Sequence, residues 1–390
     1  MSPEPDAAAP RDTCLVEVAL PVPLPETFTY RWEGTAPEDR PGPGEGDLVA
    51  VPFGRRRQVI GLVVAVRPAP AGVVEVRGHR LRSVTKLLPE AYRLGPQRLA
   101  LARWVAAYHA LTLGEVVPLF HPPAPGTRVR KVERARESYP LSDSTGVRLT
   151  PSQRDCVQRA TGHLARSTFG AILVHGVTGS GKTEIFLRVM AEALARDRGA
   201  IYLLPEIALT PQTLARITER FGSRAAAIHS GLSAGERCRV HEEAAAGRIR
   251  IVVGPRSALF VPVRDLGAII VDEEHETSYK QEEKPRYHAR NVALVRARTE
   301  GAVILLGSAT PDLESYHNAR GGRFHLVTLT ERAVGQLPEV EIVDMRGPSA
   351  PDGFSPRLVD RIEQTLAAGH QVILFYNRRG FARVIQCQAC

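Results

Sequence analysis

Gly176-Val177-Thr178-Gly179-Ser180-Gly181-Lys182-Thr183 follows an apolar run, AILVH, and opens a stretch in which Ile185, Phe186, Val189 and Met190 fall on one helical face. Glycines allow backbone N–H groups to wrap a phosphate, and a helix N-terminus adds positive potential there. Lys182 is placed to reach β and γ phosphates and Thr183 to ligate Mg²⁺. The pattern has its chemistry only between a strand and a helix, and that is the setting predicted here.

Two further constellations stand at the ends of apolar runs. AIIV leads into Asp272-Glu273-Glu274-His275, and AVILL leads into Gly307-Ser308-Ala309-Thr310. A carboxylate at such a strand end lies beside a P-loop, so Asp272 is expected to hold Mg²⁺ and Glu273 to orient or deprotonate the attacking water. Ser308 and Thr310 are expected to hydrogen-bond the segment from Asp272 to His275, so that the state of the γ-phosphate is felt elsewhere. Lys182, Asp272, Glu273 and His275 are the candidate catalytic set, and Ser308, Ala309 and Thr310 the coupling element. Alone, the acidic run reads equally as a solvated helix start and Ser-Ala-Thr as a simple turn; their order after the P-loop favours chemistry.

These motifs need a parallel sheet to carry them. From residue 149 to 330, wholly apolar runs alternate with helical stretches, the texture of a doubly wound α/β domain with both sheet faces covered. A second such unit begins in 331–390, with a helix (LVDRIEQTLAAG) and a strand (QVILFYN). Residues 13–120 carry short apolar runs between turn residues and read as a small β-rich domain closed by a helix. Residues 121–148 are rich in Pro, charge and Ser without apolar period and read as a linker, and residues 1–12 as a disordered start.

Bulk composition agrees with this layout. At 390 residues and 43% hydrophobic content, two or three cores are expected. The net charge of +9 suits a polyanion, although only five residues are Lys, and an Arg bias by itself is equally a matter of genome composition. No run of apolar residues is long enough for a membrane span, and the N-terminus lacks the basic and apolar regions of a signal peptide. Five scattered cysteines make a poor disulfide framework, so a cytoplasmic protein is expected.

Several blocks carry a specific resemblance: LLPEIALTPQ, HSGLS, GPRSALFVP, VDEEHETSYKQEEKPRYHARNVA, LGSATPDLES and FYNRRGFA are similar to the helicase blocks of the primosomal protein N′ (PriA) replication-restart family. VEVALPVPLPETFTY and GDLVAVPFGRRR resemble that family's domain for the 3′ end of a nascent strand. The resemblance implies a superfamily 2 helicase lobe, RecA-like, preceded by a DNA-binding domain. It places Gln153 at adenine, and Arg256, Ser257 and residues 205–210 on the DNA backbone. Tyr279, Lys280, Arg286, Tyr287 and His288, with Arg290, fall in a loop where aromatics beside cations suit single-stranded DNA; a plug of the same aromatics onto the domain is the alternative. Phe28, Thr29, Gly54 and Arg82 align with the pocket for a terminal nucleotide, where Thr29 replaces the acid of some members. The family's winged helix between the two domains has no counterpart beyond the polar linker.

Cys387 and Cys390 match the first half of the family's zinc site, since two thiolates are half of a tetrahedral set. The resemblance implies an ATP-dependent 3′ to 5′ DNA helicase that recognises stalled or branched forks and initiates primosome assembly. Its ligands are ATP, Mg²⁺ and Zn²⁺, and its partners are branched and single-stranded DNA, single-strand DNA-binding protein and other primosome proteins, with no membrane. Superfamily 2 motors draw arginines from a second lobe, so the 390 residues alone are expected to bind ATP and DNA and to turn over slowly. Rival readings are a catalytically incomplete fork-binding scaffold and the translocase subunit of a restriction system.

Overall fold

The computed structural model describes residues 14–33, 42–69, 75–76, 79–123, 148–331, 339–344 and 354–375. The expected disordered start, nearly all of the expected linker and the Cys387/Cys390 pair lie outside these residues.

The N-terminal part is a sheet built from β1 (Cys14–Ala19), β2 (Phe28–Trp32), β3 (Leu48–Phe53) and β4 (Arg56–Pro68). A two-residue pair, β5 (Glu75–Val76) and β6 (His79–Arg80), stands apart, while β7 (Arg82–Ser83) and β8 (Lys86–Leu87) edge the main sheet. The order is β7-β2-β1-β4-β3-β8. Val16, Val18, Tyr30, Val49, Val51 and Val63 fill the core of this sheet, in which β-branched residues predominate as strands prefer. Helix α1 (Pro96–Tyr108) follows, with Pro at its first position, and then the one-turn α2 (Leu113–Val116), capped by a reciprocal Thr112–Glu115 box.

The larger sheet is flanked by α3 (Pro151–Arg166) and contains β9 (Gly170–Gly176), α4 (Lys182–Ala195), β10 (Gly199–Leu203), α5 (Pro211–Phe221), β11 (Ala225–Ala227), α6 (Ala234–Ala245), β12 (Ile251–Gly254) and β13 (Leu266–Val271). A small ribbon, β14 (Lys280–Gln281) with β15 (Tyr287–His288), precedes α7 (Ala289–Thr299), β16 (Val303–Ser308), α8 (Leu313–Arg320) and β17 (His325–Leu329). All pairings in the order β11-β12-β10-β13-β16-β9-β17 are parallel. The central strands are buried along their whole length, as a sheet covered on both faces requires. Their C-terminal ends bring the loops after β9, β10, β13 and β16 to one edge, where ligands of open α/β sheets bind.

The two sheets belong to one compact unit, and the seam between them is specific. Arg98 of α1 is buried, and its Nη2 donates to the carbonyls of Phe120 and Phe260, both at 3.0 Å. Phe260 lies in the 3₁₀ turn Arg256–Phe260 after β12, and its ring meets Phe120 and Tyr287 edge to face at 5.1 and 5.3 Å. Arg296 of α7, 1% exposed, donates to the carbonyls of Leu259 and Val261. Two guanidiniums thus hold three consecutive carbonyls, so these buried backbone acceptors are satisfied.

A second compact unit contains α9 (Pro356–Ala367), whose N-cap Ser355 accepts from Leu358 N. Arg357 and Arg361 reach Glu341 in the same unit. The expected strand at 371–377 differs: residues 371–375 form no ladder, because an extended segment is stabilised by a neighbouring strand and this unit supplies none among the described residues. No helix among the described residues is long and apolar enough to cross a membrane.

Candidate nucleotide site and nucleic-acid interface

Helix α4 begins differently from α3, α5, α6 and α8. Thr150, Thr210, Ser233 and Asp312 cap α3, α5, α6 and α8 with their own side chains. At α4 the N-cap is Gly181, with φ of +83° and no side chain to offer, so the first N–H groups stay available to an anion. Lys182 is 7% exposed, and its Nζ donates to the carbonyl of Gly176 at 2.7 Å, with Glu273 Oε1 at 4.0 Å. Ser180 Oγ is buried without a partner. Val177, Thr178 and Gly179 form the exposed crest of the loop. A loop with an orphaned hydroxyl, an uncapped helix and an ammonium hydrogen-bonded to a backbone carbonyl and only loosely paired with Glu273 fits a polyphosphate.

Beside it, Asp272 stands at the end of β13 with both carboxylate oxygens held. Oδ2 accepts from the Tyr202 hydroxyl of β10 at 2.9 Å and Oδ1 from Glu273 N at 3.0 Å. Burial pushes the Asp272 carboxyl up to about 6, and adjacent Glu273 adds to the rise while the Tyr202 bond opposes it. Burial beside this carboxylate likewise holds the Tyr202 phenol in its protonated form. A half-buried carboxylate beside the P-loop, with the more distant Lys182 offsetting its charge only in part, fits a divalent metal: Asp272, with Thr183 at the first turn of α4, would hold Mg²⁺, which neutralises phosphate charge when bound. Glu273 sits in left-handed backbone at φ of +46°, an uncommon conformation that turns its side chain out of the strand direction.

Of the hydrogen bonds expected between Ser308, Thr310 and the acidic segment, the one from Ser308 is present. His275 Nδ1 lies 2.7 Å from Ser308 Oγ, and Ser308 Oγ also accepts from Thr310 N. The Thr310 side chain is exposed, and the second link to the acidic segment runs through backbone, from Glu274 N to Gly307 O at 2.9 Å. Gly307 is needed here because a Cβ would come within 2.4 Å of the Phe186 ring. Ala309 is the half-buried residue between them.

Glu274 is fully buried and joins three segments. Its carboxylate accepts from Arg290 Nη1 at 2.9 Å, Ser315 Oγ at 2.8 Å and Asp312 N at 2.8 Å. Arg290, 4% exposed, opens α7 directly after the aromatic run. In that run the structure departs from a row of open stacking faces. Tyr279 is 1% exposed and donates to the Asp272 carbonyl at 2.7 Å, and Tyr287 is 3% exposed against Phe260. Aromatic area is worth more in the core than in water, so these rings plug the loop onto the domain. Lys280 and Arg286 are exposed, and His288 is half-buried, with burial lowering its pKa. Arg256 Nη1 donates to the carbonyls of Ser278 and Lys280, tying the turn after β12 to the run, and Ser257 is exposed beside it.

At the N-terminal sheet, Phe28, Thr29, Gly54 and Arg82 gather at one edge. The Phe28 and Phe53 rings meet edge to face at 4.9 Å, and Arg82 Nη1 lies 3.4 Å from the Gly54 carbonyl. Thr29 is not alone: its hydroxyl donates to Glu17 Oε1 at 3.1 Å, and Thr27 donates to Oε2 at 2.9 Å. Glu17 pairs with Thr29 across the antiparallel β1–β2 ladder, so register brings an acid to this position.

The model for the 3′DNA-binding domain (3′BD) matches residues 17–122, and that for the DEAD/DEAH box helicase matches residues 150–319. The Replication restart protein PriA of Treponema pallidum is 38% identical over 384 residues, 96% of this chain and 56% of that protein. The PriA of Bacillus subtilis is 46% identical over 246 residues, 62% of this chain and 31% of that protein, and the PriA of Haemophilus influenzae is 44% identical over 229 residues. The chain is similar to PriA proteins over nearly its whole length and carries a 3′DNA-binding domain followed by a DEAD/DEAH box helicase domain. It spans about half the length of its Treponema relative and about a third of the others.

Gln153 is held by two hydrogen bonds within the protein. It is 3% exposed, its Oε1 accepts from Thr150 N in the capping box of α3, and its Nε2 donates to Ser180 O in the P-loop. Glu17, Tyr202 and Glu274 are site residues that composition and spacing do not single out. A cross-strand register, a hydroxyl inside an apolar strand and the third acid of a run become visible only once packing sets their partners. Among the described residues no group of three or more His, Cys, Asp and Glu could hold a metal ion by itself.

Proposed function

We propose that the protein is the front part of an ATP-dependent 3′ to 5′ DNA helicase that recognises a 3′ end at a stalled or branched fork and starts primosome assembly. The observation that carries this reading is the seam. A 3′DNA-binding domain is joined to the ATP-binding lobe through Arg98 and the Phe120–Phe260 contact, so end recognition and nucleotide chemistry share one compact unit. In this reading Lys182, Thr183 and Asp272 hold the magnesium nucleotide and Glu273 positions water. Gln153, through its remaining amide valences, and the loop of residues 176–183 bind the nucleotide. His275, Ser308, Ala309 and Thr310 relay its state. Arg256, Ser257, Lys280, Arg286 and His288 face the strand, while Tyr279 and Tyr287 anchor the loop that presents those cations.

Zinc at Cys387 and Cys390, contact with single-strand DNA-binding protein and a cytoplasmic location belong to the same proposal, supported by the cysteine spacing and the relatives' role in replication restart. The test is binding and hydrolysis on a fork whose branch carries a 3′-hydroxyl, with a 3′-phosphate fork and Glu273→Gln as controls. Tighter binding to the hydroxyl fork with hydrolysis above Glu273→Gln is the expected result. Equal binding to both forks refutes end recognition, and fork binding with no hydrolysis above the control leaves the scaffold reading.

A further inference from the structure

Where the end of the 3′-end domain meets the ATP lobe, a cleft of about 330 Å³ opens between residues 118–123 and the segments around α6 and the Arg256–Phe260 turn. Its polar lining includes Arg237, Arg256, Ser230, Ser257, His241 and Glu206, with two further histidines, His121 and His229, and Gln281. Two of these are left incomplete by the protein itself. His241 is 5% exposed and its Nδ1 has no hydrogen-bond partner, and the Nε of Arg237 is likewise buried and unpartnered. Buried polar atoms are nearly always satisfied by protein, water or ligand, and two in one cleft mark a place where a ligand completes the set.

The chemistry of the lining selects the ligand. Two guanidiniums face a single carboxylate, Glu206, which is exposed at the rim. Two serine hydroxyls add donors. Arg256 has given only Nη1 to the carbonyls of Ser278 and Lys280. Guanidinium and hydroxyl donors converging on one small volume match the non-bridging oxygens of a phosphate. We propose that the cleft holds one backbone phosphate of the DNA strand where it passes from the 3′-end domain onto the ATP lobe. This rests on the reading that the turn at Arg256 and Ser257 faces DNA, and it adds Arg237 and His241 to that path. Such a contact carries no base information and sets the strand's register against the two domains.

The experiment is a methylphosphonate scan, in which single phosphates of a 3′-hydroxyl forked oligonucleotide are replaced one at a time and affinity is measured for the wild-type chain, Arg237→Gln and Arg237→Lys. In the wild type one position near the branch should lose roughly tenfold in affinity when its charge is removed, the scale of a charge-assisted hydrogen bond. In Arg237→Gln that position should become indifferent while the remaining sensitive positions keep their penalties, and Arg237→Lys should restore most of the sensitivity. Identical scans for wild type and Arg237→Gln overturn the proposal, because a free-anion pocket or a structural arginine would leave every position unchanged. Absence of fork binding by the wild type would instead defeat the broader DNA-binding reading, so the two failures are distinct.

Discussion

Asp272 shows how much of a site is orientation. With Tyr202 on one oxygen and the Glu273 amide on the other, the carboxylate cannot rotate away from the P-loop edge. Removing the phenol hydroxyl should free that rotation and remove a bond of roughly 1.5–3 kcal/mol to a charged group, softened by water. Tyr202→Phe is therefore expected to raise the Mg²⁺ concentration needed for half-maximal nucleotide binding by about three- to tenfold, read by fluorescent-nucleotide titration, with little change in metal-free nucleotide affinity. At the other end of the unit, Glu17 accepts from the Thr29 hydroxyl and is the acid beside it. Glu17→Gln should cut the preference for a 3′-hydroxyl over a 3′-phosphate end by about fivefold or more, measured by anisotropy on two otherwise identical oligonucleotides. An unchanged ratio would place Glu17 in the sheet's structure alone.

The elements differ in how far their sequence disclosed them. The loops after β9, β13 and β16 were legible because their chemistry is local: glycine, lysine and acid at the end of an apolar run have few other uses. The run from Tyr279 to Arg290 was not, since aromatics alternating with cations serve equally as an open stacking face or as a plug, and only the neighbours Phe260 and Asp272 decide. Arg98 and Arg296 are buried on backbone carbonyls supplied by residues distant in sequence, which no local pattern discloses. Register explains Glu17 in the same way, because nothing in a linear string places residue 17 beside residue 29. At this scale the Glu274 junction makes a sharp prediction. Glu274→Gln keeps its size but loses the charge opposite Arg290, leaving a buried guanidinium short of its nearest partner. The variant should lose about 2–4 kcal/mol of stability in urea unfolding, and its nucleotide affinity should respond less to added DNA than that of the wild type.

For the whole unit, a buried histidine ties stability to pH. Burial, with Arg98 nearby, pushes the His241 imidazole down to about 3. The folded state therefore binds fewer protons than the unfolded chain between about 3 and the ordinary value of 6.5. Stability is complete above about 6.5 and falls as pH drops through that window, at up to about 1.4 kcal/mol per unit. His241→Gln, neutral throughout, should flatten this part of the acid-stability curve relative to wild type; parallel curves would show that other groups set the acid limit. The net charge of +9 acts over the same scale, and DNA affinity should fall steeply with salt, with Arg237→Gln reducing the logarithmic slope by about 0.7 on a single strand.

The bond between Lys182 and the Gly176 carbonyl has a consequence for how the molecule responds to its ligand. The loop is closed on itself, so its own main chain competes for the ammonium that a phosphate needs. Only the fraction of molecules with Lys182 released is competent, and the apparent dissociation constant is the intrinsic one divided by that fraction. Anything that opens the loop therefore sharpens nucleotide affinity without touching the nucleotide, and Ser180, whose carbonyl is held by Gln153 of α3, gives a helix outside the loop a handle on that opening. The loop in this sense carries a weak built-in competitor of the phosphate it would hold, and on the proposed reading nucleotide occupancy is a property of the loop's equilibrium as much as of the contacts the nucleotide makes.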